Sequence, residues 1–119
     1  MPKVIAVDLD GTLAKRTTGG GIGAPIRDMV DRVKKWTEAG REVVIFTARA
    51  ETQHRQVQAW LLSAGLPMLN VTNIKDSEMS EFWDDKAVRV EPDTGEPCSK
   101  CLAANKRNGN HSSLAHTDC

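Results

Sequence analysis

Apolar positions fall along the chain in two different rhythms. Residues 4–7 (VIAV) and 42–46 (EVVIF) are short, nearly unbroken apolar runs rich in branched side chains. That composition suits central parallel strands covered on both faces. Between them, Ile26, Met29, Val30, Val33 and Trp36 recur at spacings of three and four. They predict an amphipathic helix that opens near Pro25 and closes at Gly40. A second helix is predicted over residues 51–63, with Val57, Trp60, Leu61 and Ala64 facing inward and Gly65 ending it. LPMLNVT (66–72) reads as a third strand, SEFW (80–83) as a fourth and AVRV (87–90) as a fifth. Strand, helix, strand, helix, strand is the order of a doubly wound α/β sheet, whose ligands bind beyond the carboxyl ends of the strands.

Three of the predicted strands end in chemistry at that edge. The first runs into Asp8 and Asp10, the second into Thr47, and the fourth into Asp84 and Asp85. Clustered carboxylates repel one another, and a hard divalent cation such as Mg²⁺ is the usual remedy, since it takes oxygen ligands. Four carboxylates exceed what one cation needs, leaving one for nucleophilic attack and one for proton transfer. Thr47 and Lys75, at neighbouring strand ends, are suited to the oxygens of a transferring phosphoryl group. Each feature has an ordinary reading when taken singly: DxD as a turn, Lys75 as a solvated charge. Their conjunction, in order and after buried strands, points to a site. Arg49, two residues past Thr47, either faces that site or pairs with an acid. Residues 15–23 (KRTTGGGIG) hold four glycines in five positions and read as a flexible loop. They lack both GxGxxG and GK[ST], so they are no dinucleotide or P-loop fingerprint.

With these residues in place, the sequence resembles the haloacid dehalogenase (HAD)-like phosphohydrolases. VDLDGTLA matches the first motif, VVIFTARA the second, Lys75 in TNIKDS the third and FWDDKA the fourth, over about residues 3–90. The resemblance implies a Rossmann-like HAD fold, a three-layer αβα arrangement around a mostly parallel sheet. It also implies an aspartyl-phosphate mechanism with Asp8 as nucleophile and Asp10 as general acid and base. Thr47 and Lys75 would hold the phosphoryl group, and Mg²⁺ would sit on Asp8, the Asp10 carbonyl and Asp84. Asp85 would serve either as a further ligand or as a support behind the ligands. The intervals between motifs leave no room for a cap domain, so the sequence is similar to small capless members of phage and bacterial type. The implied partner is a phosphorylated substrate: a nucleotide, a sugar phosphate or a nucleic-acid end. Such members also suggest a homo-oligomer. The alternatives are a binding or scaffold module with weak catalysis on the same fold, or a polynucleotide-end phosphatase aided by the tail.

Composition narrows the picture further. In 119 residues, 16 basic and 16 acidic side chains cancel, so no global field draws the chain to nucleic acid or acidic membrane. The N-terminus lacks the form of a secretory signal, and no run approaches the roughly 18 apolar residues of a membrane span. A cytoplasmic protein with no membrane partner is expected. The chain divides into a phosphatase domain over residues 1–91 and a polar tail over residues 92–119. All three cysteines lie in that tail. Cys98 and Cys101 form CxxC, and with His111, His116 and Cys119 they are a candidate zinc set; a disordered tail is the alternative.

Overall fold

A computed structural model describes residues 4–101 of the chain. By compactness the chain divides into two units, Met1–Asp84 and Asp85–Cys119. The first unit is α/β. It contains β1 (Val4–Val7), α1 (Arg27–Glu38), β2 (Glu42–Phe46), α2 (His54–Ser63), β3 (Val71–Thr72) and β4 (Met79–Trp83). A single 3₁₀ turn, Glu51–Gln53, leads into α2.

The four strands form one sheet in the order β3-β2-β1-β4, and every pairing is parallel. β1 is central, which explains its unbroken apolar run. Ile5 and Val7 join the larger core, with Val43 and Ile45 of β2, Met29, Val30 and Val33 of α1, and Val57 and Leu61 of α2. Val4 and Ala6 point the other way, into a smaller cluster with Val44 and Met79. Both helices therefore pack on the same sheet face. Two successive crossovers that step in one direction across a sheet, β1 to β2 to β3, require this if both are right-handed. The fold is Rossmann-like, and no cap domain is inserted among the described residues.

The predicted helix stripes are the buried ones, and both helices end two residues before Gly40 and Gly65, with Ala39 and Ala64 as their C-caps. Ile26 and Trp36 are partly buried at the ends of the α1 stripe. Trp36 meets Trp83 edge to face, with centroids 5.0 Å apart, and the Arg32 guanidinium lies 5.3 Å from the Trp83 ring centroid. These contacts fasten α1 to the last strand of the sheet.

Two strand predictions need correction. The third strand is confined to Val71–Thr72, because Leu66 is spent on the core of the α2 turn and Pro67 lacks a backbone N–H to offer a ladder. No strand forms over residues 87–90. In the second unit Val90 makes an isolated antiparallel bridge to Pro97, and Cys98 N donates to Arg89 O at 2.7 Å. The segment thus pairs with its own continuation around a turn at Asp93 and Gly95, both at positive φ.

Candidate active site

Chain order fixes where a site can lie. From β1 the chain steps to β2 and β3 on one side, then returns to β4 on the other. The switch point is therefore between β1 and β4, the crevice such sheets use for ligands. Register then decides which residues meet there. Val7 pairs with Trp83, and Asp8 N donates to Trp83 O at 2.9 Å. The next residues, Asp8 and Asp84, leave the sheet side by side. One carboxylate oxygen from each lies within 4.8 Å of the other. Asp85, joined to Asp84 by a peptide bond, brings a third oxygen to the same group.

Asp10 is held differently. Leu9 is fully buried and anchors a tight turn: Leu13 N and Ala14 N both donate to Leu9 O at 2.9 Å, and Gly11 N donates to Ala14 O at 2.8 Å. Gly11 sits at φ 94°, a conformation that strains side-chain-bearing residues, which is the physical reason for glycine after the second aspartate. The Asp10 carboxylate faces Arg49 in a two-pronged pair. Arg49 Nε donates to Oδ2 and Nη2 to Oδ1, both at 2.8 Å. The hydrogen bond to Asp10 raises the Arg49 pKa; burial opposes the shift, and the carboxylate charge adds to it.

Thr47 is the one buried polar residue of the first unit's described core, 3% exposed. Its N–H donates to Thr72 O at 2.9 Å, and its hydroxyl accepts from Arg49 N at 3.1 Å. The hydroxyl proton is thus at its disposal for an acceptor at the strand ends. Lys75 follows β3 on the surface, and its ammonium lies 5.0 Å from the Phe82 ring centroid.

The glycine-containing loop is more built than its composition suggests. Lys15 N donates to Ala24 O at 2.8 Å and closes the base, while Thr17 Oγ1 donates to Gly21 O at 2.8 Å. Trp60, expected as core, packs against it and also donates its indole N–H to Gly23 O at 2.9 Å from α2. Gly23 also runs against Lys15: a Cβ there would overlap the Lys15 carbonyl oxygen and lie 3.2 Å from Thr17 Cγ2. Gly23→Ala should therefore destabilise the fold by about 1–3 kcal/mol, read by urea denaturation. An unchanged midpoint would show that the loop does not hold this path.

A family model of the "PITM 1-3, LNS2 domain" matches residues 5–92, well over half of the chain. The chain belongs to the LNS2-domain family. The LNS2 domain is a HAD-like, phosphatase-type domain, and all the motif residues named above fall within the matched span. No curated protein matches the sequence. Among solved structures, a conserved protein from Bacteroides thetaiotaomicron is similar at a TM-score of 0.60 and 22% identity. That likeness covers 76% of this chain and 81% of the other, and it supports the fold.

The LNS2 match thus spans the three-aspartate group, Asp10 with Arg49, and Thr47. The other metal candidate is placed differently. Cys101 is a buried free thiol. His111, His116 and Cys119 lie outside the described residues. No helix among the described residues is long and apolar enough to cross a membrane. Pattern offered Arg49 as a partner for the site or an acid and Trp60 as core, but it does not locate the particular acceptors each reaches: Asp10 far along the chain and the carbonyls of a loop.

Proposed function

We propose that this LNS2 domain is a Mg²⁺-dependent phosphomonoester hydrolase acting through an aspartyl-phosphate on Asp8. The observation that carries this reading is the register of β1 and β4, which delivers Asp8 and Asp84 together at the switch point. The donor set fits the cation: hard carboxylate oxygens, too close to coexist comfortably as bare anions. Asp8, Asp84 and the adjoining Asp85 would hold it, with the Asp10 carbonyl as a further oxygen. Mg²⁺ bound there supplies positive charge that lets an anionic phosphoryl group approach a carboxylate.

The residues then divide the work. An Asp8 oxygen attacks phosphorus, the bond from phosphorus to the ester oxygen breaks, and that oxygen takes a proton from Asp10. A water next attacks the acyl phosphate and gives its proton to Asp10, the bond to Asp8 breaks, and inorganic phosphate leaves. The Thr47 hydroxyl and the Lys75 ammonium donate to the non-bridging phosphoryl oxygens. For Lys75 this requires its flexible stem to swing from its place over Phe82. Substrates are phosphorylated small molecules or nucleic-acid ends.

The test is metal dependence. Turnover of p-nitrophenyl phosphate should vanish in EDTA and return with added Mg²⁺. Removing even a group that supports a metal ligand costs about 10–100-fold in affinity. Asp84→Asn should accordingly raise the Mg²⁺ concentration for half-maximal rate at least about tenfold. Full-speed turnover in EDTA would overturn the assignment of the aspartate group.

A further inference from the structure

Arg49 does more than pair with one acid. While Nε and Nη2 grip Asp10, Nη1 donates to Gly20 O at 2.8 Å and Nη2 donates also to Gly21 O at 2.9 Å. The pair is largely withdrawn from water, the side chains being 13% and 26% exposed. At the other end of these bonds is the tip of the 15–24 loop. A Cβ added at Gly19, Gly20 or Gly21 would meet nothing within 4 Å, so packing does not hold these three residues, while the adjoining Ile22 rests against the core. Hydrogen bonds to the guanidinium tie the tip down, while Lys15, Ala24 and Trp60 fix the base.

A guanidinium is suited to this double duty. Its donors lie in one rigid plane, so orienting the carboxylate and orienting the loop carbonyls are not independent. A carboxylate also has about four acceptor positions, and Arg49 uses one on each oxygen, which leaves the others for a reacting proton.

We propose that Arg49 is a positioning residue that couples the glycine loop to Asp10, so that loop closure and orientation of the proton-transfer carboxylate are one event. The catalytic consequence rests on the hydrolase reading above; the coupling itself does not. Opening of the tip releases the guanidinium, and a freed guanidinium no longer holds Asp10 in register with the ester oxygen. Loss of Asp10 frees the guanidinium in turn, and with it the loop.

Two measurements on the full chain test this. The first needs no turnover. Lys15 and Arg16 lie in the loop, and tryptic cutting there under native conditions tracks the population of the open form. Cutting at these bonds, followed by mass spectrometry, should accelerate about tenfold in Arg49→Ala and to a similar extent in Asp10→Ala, as expected for loss of charge-assisted hydrogen bonds. Arg49→Lys keeps the charge without the fork and should fall between wild type and alanine. Unaltered melting curves identify variants that fold. Wild-type cutting in Asp10→Ala beside fast cutting in Arg49→Ala would overturn the coupling.

The second is a double-mutant cycle on an alkyl phosphate. Arg49→Ala should lower kcat about 10–100-fold with little change in KM, and should cost nothing further once Asp10 is alanine. Losses that multiply, or that fall on KM, would overturn the positioning role and make Arg49 a direct substrate contact. If the wild type hydrolyses no phosphomonoester, the hydrolase reading fails, and the proteolysis result still decides the coupling.

Discussion

Asp8→Asn is expected to abolish phosphomonoester hydrolysis while leaving the fold intact, a loss of about 10⁴-fold or more. The amide keeps the shape of the side chain but not its nucleophilicity, so no acyl phosphate forms. The backbone is unaffected by the change, since Asp8 joins β4 through its N–H to Trp83 O. Removing one charge from the group formed with Asp84 and Asp85 also relieves repulsion. In metal-free buffer the variant should therefore melt at or above the wild-type temperature. Steady-state rates with p-nitrophenyl phosphate, and acid-quenched wild type searched for a phosphorylated Asp8 peptide, provide the check. Near-normal turnover in Asp8→Asn would dispose of the covalent route.

Asp10→Ala is the second large effect, and its diagnostic feature is its dependence on the leaving group. Proton transfer by a positioned side chain contributes about 10²–10⁴-fold. An alkoxide leaves poorly without a proton, whereas p-nitrophenolate leaves readily as an anion. The variant should lose about 10²–10⁴-fold on an alkyl phosphate and distinctly less on p-nitrophenyl phosphate. KM values should move little, because Asp10 is assigned to a proton and not to ground-state binding. Equal losses on both substrates would exclude Asp10 as the acid.

The parts of the molecule readable from sequence are those where one periodicity meets one burial pattern. β1 and β2 are covered on both faces and read as unbroken apolar runs. The α1 and α2 stripes coincide with the residues that reach the larger core. Asp8 and Asp84 were legible because parallel strands place their carboxyl ends at one edge. The shortness of β3 and the path of the segment from Ala87 to Val90 were not. Short apolar runs pair with whatever backbone is near, and for Val90 that is Pro97. Arg49 was visible as a candidate, but its partners were not. Side-chain bonds to loop carbonyls depend on the path of the loop, and four nearly consecutive glycines specify no path by themselves. Trp60 was legible in part: its position on α2 puts it against the core, while the bond from its indole N–H to Gly23 O depends on the path of the loop.

The placement of β4 has a consequence for how the molecule assembles. β1 pairs with β2 across 38 positions (Val4 to Glu42) and with β4 across 75 (Val4 to Met79). Closing the longer span costs more chain entropy and returns nothing until the ladder forms. During synthesis, a nascent chain that has emerged only as far as α2 can already zip β1 to β2. It then carries Asp8 on a formed strand beside an empty edge. Asp84 arrives only when Met79–Trp83 docks on that edge, so the two carboxylates meet with the last strand added and not with the first.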